Sequence, residues 1–136
     1  MEAIIRLLLA ITITAALAGC MGQPQVNGRQ LYMQHCAGCH GLTGHGDGRM
    51  GHGLVTRPAD LTRLSARNGG TYPRDFVLSK MDGYAAGAHN TSAMPEFGKL
   101  LRGRTVKMQN ADGSETPVPE PLLAISQYLE RLQSEV

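Results

Sequence analysis

The sequence predicts an all-α single domain, built from short helices that glycine-rich loops connect. A length of 136 residues suits one compact domain. A C-terminal helix from Pro121 onward is indicated by apolar residues at helical spacing, namely Leu122, Ile125, Leu129 and Leu132, with Tyr128 beside them. A first helix is predicted from Asn27, whose side chain can cap it, to about Cys36.

Shorter elements are predicted between these two helices. Pro73 opens a helix that runs through Met81 and stops at Gly83, and residues 96–101 form one or two helical turns. Loops or irregular segments are predicted at 41–53, which holds six glycines, at 54–72 and at 84–93. Residues 104–118 depart from the all-α pattern, because two short β-compatible runs flank turn-forming residues and predict a β-hairpin insertion.

Charge and composition limit the classes of function. The chain has 13 Lys and Arg residues against 11 Asp and Glu residues, a formal net charge of +2, and its basic residues do not cluster. We therefore expect no nucleic-acid partner. With 4 Tyr, 2 Phe and no Trp alongside 17 Gly, the chain is poor in large side chains for a core. We expect a bound cofactor to supply further buried apolar surface.

The N-terminus has the pattern of an export signal. Arg6 precedes an apolar stretch, residues 7–17, that is short for a bilayer span of about 20 residues. The following Leu17-Ala18-Gly19-Cys20 resembles the lipobox of bacterial lipoproteins, in which the Cys becomes the acylated N-terminus. This resemblance implies a signal peptide at 1–19, a lipidated tether at 20–26 and a folded domain at 27–136. An uncleaved anchor helix and a plain signal with an unrelated Cys are the alternatives.

Cys36-Ala37-Gly38-Cys39-His40 carries the strongest chemical signal. C-x-x-C-H is the attachment pattern of c-type haem. Two Cys three residues apart at a helix end reach both vinyl groups of one porphyrin, and the adjacent His directs a ring nitrogen at the iron. Three alternatives compete. A thioredoxin-type C-x-x-C needs a preceding strand, which is not predicted; a zinc site would combine both Cys with two His; and the pattern can arise by chance.

The run from Gly28 to Gly41 resembles the first helix and haem site of class I mono-haem cytochromes c. In that family a Gly and an aromatic residue on this helix pack against an aromatic residue on the C-terminal helix. Gly28, Tyr32 and Tyr128 match these three positions. The resemblance covers about residues 27–134, interrupted by the hairpin-like segment. It implies a small cytochrome c fold of several helices around one covalently bound haem c.

The same resemblance implies further haem contacts. Met94, followed by Pro95, matches the family's axial Met and would be the sixth iron ligand, opposite His40. Pro58 matches the proline whose carbonyl accepts a hydrogen bond from the other nitrogen of the axial imidazole. Rivals for the sixth position are Met50, Met81, Met108, His52 and His89. Candidates for hydrogen bonds to the haem propionates are Arg57, Tyr72 and Tyr84.

Residues 46–51 also fit the dinucleotide-binding pattern G-x-G-x-x-G. They follow the haem motif and no strand, so the context that a dinucleotide site requires is missing. We expect these glycines instead to let the backbone pass close to the haem edge.

The predicted function is electron transfer by one haem c, on the periplasmic side of a bacterial membrane and anchored there by lipid on Cys20. The chain is expected to be an electron carrier and not an enzyme. Expected partners are other cytochromes, cupredoxins, oxidase or dehydrogenase complexes, and the membrane through the lipid. Two alternatives remain: the haem-bearing subunit of a periplasmic or membrane oxidoreductase complex, and a haem gas sensor with a vacant sixth site.

Overall fold

The computed structural model describes residues 25–83, 94–110 and 112–133. Within these ranges the helices and strands are α1 Gly28–His35, α2 Ala37–His40, α3 Leu64–Arg67, α4 Arg74–Asp82, α5 Phe97–Leu100, β1 Thr105–Gln109, β2 Glu115–Pro119 and α6 Glu120–Arg131, with 3-10 turns at Arg49–Gly51 and Leu61–Arg63. The predicted signal peptide, Cys20 and the loop 84–93 lie outside the described residues. None of the helices described here combines the length and the apolar character needed to cross a bilayer.

The helix ends follow from local chemistry. Asn27 caps α1, because its side-chain oxygen accepts the backbone N–H of Gln30 at 3.1 Å. Pro73 precedes α4, and Gly83 ends it with a left-handed φ of 102°. The predicted limits of α1, α4 and α5 and the predicted start of α6 are confirmed to within one residue.

The prediction that 54–72 is irregular throughout was wrong in part. A 3-10 turn and α3 form one short helical segment there, over residues 61–67. Asp60 starts this segment, because its carboxylate accepts the backbone N–H of Thr62 at 2.9 Å. An Asp followed by a Leu-Thr pair was the signal for a helix start, and the nearby Pro58 masked it.

The terminal helices α1 and α6 cross at very short range. A Cβ on Gly28 would overlap the backbone carbonyl of Ala124, so only glycine fits at this crossing. One turn further along α1, the Tyr32 ring packs on Tyr128 of α6, with ring centroids 5.2 Å apart and planes tilted by 50°. The predicted packing of Gly28 and Tyr32 against the C-terminal helix is therefore confirmed.

Helix α4 packs on the other side of α6. Polar contacts tie the two helices together: the Arg74 guanidinium donates to both carboxylate oxygens of Glu130, at 2.8 and 2.6 Å, and the Tyr72 hydroxyl donates to the Ser126 carbonyl at 3.0 Å. The core between these elements is small. Its buried apolar residues include Tyr32, Val77, Leu78, Met81, Phe97, Leu101, Leu122, Ile125, Tyr128 and Leu129.

The predicted hairpin is confirmed. Strands β1 and β2 pair antiparallel, from Thr105 opposite Pro119 to Gln109 opposite Glu115. Met108 and Val118 are buried and join the same core as α6. The hairpin is therefore part of the domain's packing and not a separate arm.

The prolines of β2 occupy special positions in this ladder. The Asn110 N–H donates to the Ser114 carbonyl at 2.9 Å, which identifies a hydrogen-bonded pair, and such pairs alternate along the strands. Pro117 and Pro119 fall on the alternate, non-hydrogen-bonded positions. Their nitrogens therefore face the outer edge of β2, where the ladder needs no N–H.

Replacing Gly28 by Ala tests the crossing of α1 and α6. The added methyl group would overlap the Ala124 carbonyl, so the helices must separate, and we expect the free energy of unfolding to fall by about 1–3 kcal/mol. Chemical denaturation of the mature protein measures this change. Gly53→Ala is the control, because nothing lies within 4 Å of a Cβ at that position. Equal stability of the two variants would contradict the close crossing.

Candidate functional site

The C-x-x-C-H motif occupies the junction of α1 and α2. Cys36 ends α1 and starts α2, and the backbone N–H groups of Cys39 and His40 both donate to the Cys36 carbonyl, at 3.1 and 2.9 Å. One tight helical turn therefore carries all three predicted haem-attaching residues. Neither Cys is in a disulfide; Cys36 is buried and Cys39 is partly exposed.

The Cys36 thiol does not have the lowered pKa that a thioredoxin-type cysteine requires. Burial raises its pKa to about 12, with a smaller contribution from the neighbouring Cys39. A redox-active C-x-x-C depends on a lowered thiol pKa, so Cys36 is unsuited to that role. In the ranges that the structure describes, no three His, Cys, Asp or Glu side chains converge as a metal-binding group, so the zinc hypothesis has no ligand set there.

The His40 imidazole is oriented by a backbone carbonyl. Its Nδ1 lies 3.0 Å from the Ala59 oxygen. A carbonyl can only accept, so Nδ1 carries a proton, and in the neutral imidazole Nε2 is then the nitrogen with the free lone pair. A neutral imidazole with Nε2 as the free nitrogen is the form that binds a metal ion.

The predicted partner of His40 was Pro58, and the structure corrects this to the next residue, Ala59. The Pro58 carbonyl is turned toward Gly46, where an added Cβ would overlap it, and the Pro58 ring packs on Gly51. Because successive carbonyls of an extended segment point to opposite sides, only one of the two can face the imidazole. Pro58 therefore shapes the loop around the motif. Its direct contact with haem stays a prediction.

The glycine-rich loop after the motif packs on the motif itself. The Gly46 N–H donates to the His40 carbonyl at 2.8 Å, and the Gly48 N–H donates to the Cys39 carbonyl at 3.1 Å. A Cβ on Gly48 would lie 2.6 Å from the Cys39 carbonyl oxygen. These glycines therefore permit close approach to the backbone of the motif. Their approach to the haem edge stays a prediction.

The motif is also joined to the helical core, through a contact that sequence reasoning missed. The buried Tyr32 hydroxyl donates to the Gly41 carbonyl at 2.7 Å. Gly41 follows His40 directly and has a φ of 83°, and a Cβ there would overlap the Asp47 carboxylate. The only sequence signal for this hydrogen bond was that residue 32 is Tyr, since Phe would fill the same space without a hydrogen-bond donor.

The methionine candidates for the sixth iron position differ in placement. Met81 and Met108 are buried in the core, whereas Met50 is 70% exposed and its sulfur lies against Gly38 of the motif. Met94 is partly buried and packs against the edge of the core. It begins the segment leading to Phe97, whose ring meets the His35 ring edge-on, with centroids 6.3 Å apart.

The remaining predicted haem contacts have varied surroundings. His52 and Arg57 are exposed, and His89 and Tyr84 lie outside the described residues. The Tyr72 hydroxyl already donates to Ser126, and burial raises its pKa to about 12. Tyr72 therefore ties the segment before α4 to α6, and its hydroxyl proton is not free for the predicted propionate contact.

Several large apolar side chains face solvent. They are Leu42, Met50, Val55, Phe76 and Leu100. The first three lie in the segment that follows the C-x-x-C-H motif. Because they follow the motif so closely in sequence, these three are candidates for contact with an apolar group bound at the motif.

A family model described as Cytochrome c matches residues 25–113. The match spans α1, the motif, the glycine-rich loop, the Ala59 segment, α4, Met94 and β1. No curated protein and no solved structure matches the sequence. The matched region covers well over half of the 136 residues. The chain therefore belongs to the cytochrome c family, whose members bind haem c covalently and serve in haem-based electron transfer.

Proposed function

We propose that the protein is a lipid-anchored electron carrier with one haem c, attached through Cys36 and Cys39 and ligated by His40 and Met94. The observation that carries this proposal is the hydrogen bond from His40 Nδ1 to the Ala59 carbonyl, at 3.0 Å. It leaves Nε2 free for iron, next to two Cys that form no disulfide. When bound, the haem supplies a one-electron couple between Fe(III) and Fe(II).

The residues around the motif fit a haem. Both thiols lie on one helical turn, and the pKa of Cys36 keeps its thiol neutral at physiological pH. The exposed Leu42 and Val55 would be covered by a large apolar ring system, which would remove apolar surface from water. The haem would thereby add buried apolar surface to a domain whose sequence is poor in aromatic side chains.

Met94 is the best candidate for the second axial ligand. Met81 and Met108 are enclosed by the protein core, and Met50 lies against the motif that supplies the proximal His. The sixth ligand has to approach from the other haem face. Met94 begins a segment that reaches the end of α1 through Phe97, which supports its presence near the haem. A Met sulfur in this position raises the reduction potential relative to a second His.

The proposed location is the periplasmic side of a bacterial membrane, with lipid on Cys20. This proposal is supported by the apolar segment 7–17 and by Leu17-Ala18-Gly19-Cys20. Removal of residues 1–19 would leave the tether 20–26 ahead of the domain at 27–136. Multiple acyl chains on one Cys give stable attachment, which a single chain does not.

The chain's own role is electron exchange with other redox proteins. Ligation of the haem iron by both His40 and Met94 would leave it no free position for a substrate. We propose other cytochromes, cupredoxins, and oxidase or dehydrogenase complexes as partners. The formal net charge of +2 is small, and two haem propionates would offset it. Docking would therefore depend on local patches more than on net charge.

Covalent attachment is tested by mass spectrometry of the mature protein. We expect one haem that survives acid–acetone extraction, because thioether bonds do not dissociate. The Cys36→Ala/Cys39→Ala variant should lose it, whereas Cys20→Ser should keep it, since Cys20 lies outside the motif. Retention of haem by the double variant would refute the attachment.

The axial Met is tested by the weak red charge-transfer band that ferric haem shows with Met-sulfur ligation. Met94→Ala should abolish this band, lower the reduction potential and open the iron to CO. Met94→His should remain low-spin but fall in potential, because imidazole favours Fe(II) less than a thioether does.

Met50→Ala is the decisive control, because Met50 is the other exposed sulfur near the motif. It should keep the band, as should Met81→Ala and Met108→Ala. If Met50→Ala loses the band and Met94→Ala keeps it, the assignment of Met94 as the ligand is wrong and Met50 supplies the sulfur. Rapid CO binding by the unmodified protein would favour a gas sensor over a carrier.

Lipidation is tested by cell fractionation of Cys20→Ser. The variant should appear in the soluble periplasmic fraction or fail to mature, because no acyl chain can be attached. Met21→Ser is the matched control and should stay with the membrane. Membrane attachment of Cys20→Ser equal to that of the control would favour an uncleaved anchor helix.

A further inference from the structure

The Ala59 carbonyl that faces His40 lies directly before a residue with an unusual number of contacts, Asp60. The Asp60 carboxylate accepts two hydrogen bonds from Thr62, from the backbone N–H at 2.9 Å and from the hydroxyl at 2.6 Å. Its own backbone carbonyl accepts a hydrogen bond from the Arg67 guanidinium. The residue next to the His40 acceptor is thus held through both its side chain and its backbone.

The segment after Asp60 is fixed from two other parts of the chain. The Leu61 N–H donates to the Gly44 carbonyl at 2.6 Å, which joins the segment to the glycine-rich loop. The Gln133 side chain donates to the Leu61 carbonyl and accepts the Ser65 N–H, both at 2.9 Å. Residues 61–65 are thus anchored to the glycine-rich loop and to Gln133. The orientation of the preceding Ala59 carbonyl then depends on the turn that Asp60 makes with Thr62.

We propose that Asp60 is a positioning residue for the axial histidine: by binding Thr62 it fixes the turn that presents the Ala59 carbonyl to His40 Nδ1. The inference rests on the proposed function, since it takes His40 as an iron ligand. Asp60 touches neither the imidazole nor the haem in this role. It acts through the backbone between residues 59 and 62.

The carboxylate form of Asp60 suits this role. Hydrogen bonds from Thr62 hold the pKa of Asp60 below its usual range, with a further contribution from His45, whose Nδ1 lies 3.6 Å away. An ionised carboxylate has only acceptor sites, so both Thr62 donors find a partner. Thr62 itself is 6% exposed, so water has little access to compete for its hydroxyl.

A shift in reduction potential is the expected consequence. A hydrogen bond from Nδ1 to a carbonyl makes the imidazole a more basic ligand, which favours Fe(III). Loosening the Ala59 carbonyl should therefore raise the potential. Removing the negative charge of Asp60 should also raise it, because the charge stabilises the oxidised state. The two contributions have the same sign and have to be separated by the choice of variants.

Asp60→Asn and Asp60→Ala in the holo-protein separate them. Asn removes the charge but keeps a side-chain oxygen that accepts from Thr62, since Asn and Asp are equally good caps. Ala removes both. We expect a higher potential in Asp60→Ala than in Asp60→Asn. We also expect faster solvent exchange of the His40 Nδ1 proton in Asp60→Ala alone, followed by NMR of the reduced protein.

Asp112 offers a matched control in the hairpin. Its carboxylate accepts the N–H and the hydroxyl of Ser114 at 2.9 and 2.6 Å, the same arrangement as Asp60 and Thr62. Asp112→Ala and Asp112→Asn should give equal potentials, because both remove the same charge and the Asp112 turn in the hairpin does not carry the Ala59 carbonyl. Thr62→Val keeps the charge of Asp60 and the side-chain shape. It removes the hydroxyl bond and leaves the backbone N–H bond to Asp60, so it should raise the potential and speed the Nδ1 exchange by less than Asp60→Ala does, and it serves if Asp60→Ala does not fold.

The outcomes distinguish this inference from the function on which it rests. If the unmodified protein shows no low-spin spectrum of a His-ligated haem, the proposed function fails. If that spectrum is present but Asp60→Ala and Asp60→Asn have equal potentials and equal Nδ1 exchange, Asp60 acts by charge alone. That result, or a Thr62→Val variant indistinguishable from the unmodified protein, would overturn the positioning role.

Discussion

The close crossing of α1 and α6 at Gly28 is the constraint on which the rest of the structure depends. With no side chain between the two backbones, Tyr32 and Tyr128 come into ring contact one turn later. The buried Tyr32 hydroxyl then reaches past the end of α1 to the Gly41 carbonyl. This hydrogen bond connects the packed terminal helices directly to the residue that follows His40, so the core helps to hold the C-x-x-C-H motif in place.

The motif is supported on its other sides by backbone. Glycines of the following loop donate to the carbonyls of Cys39 and His40, and the Ala59 carbonyl orients the imidazole. On these sides the hydrogen bonds to the motif come from backbone groups, and glycines allow the backbone to approach closely enough to make them. A cofactor can be held with definite geometry in a domain that has so few aromatic residues.

Much of this arrangement was predictable, because it follows from short-range patterns. The Asn27 cap, the stripe on α6, the C-x-x-C-H spacing and the turn residues of the hairpin each specify their element locally. The hydrogen-bond acceptor of His40 could not be predicted in the same way. The carbonyls of Pro58 and Ala59 point to opposite sides, and tertiary packing decides that the Ala59 carbonyl faces His40. The helical segment at 61–67 had a local start signal in Asp60, but Gln133, far along the chain, also helps to fix it, and that contact has no short-range pattern.

The two prolines of β2 have a consequence for how copies of this domain meet. A hairpin of two strands leaves an outer edge on each strand, and such edges invite pairing with a strand from another molecule. Pro117 and Pro119 offer no N–H on the outer edge of β2, so along residues 115–119 an incoming strand would find a backbone donor on that edge only at Glu115. Lipid anchoring, as proposed, would confine the molecules to two dimensions and raise their local concentration. The two prolines would then disfavour pairing of neighbouring molecules through the outer edge of β2, on a membrane surface where crowding favours such contacts.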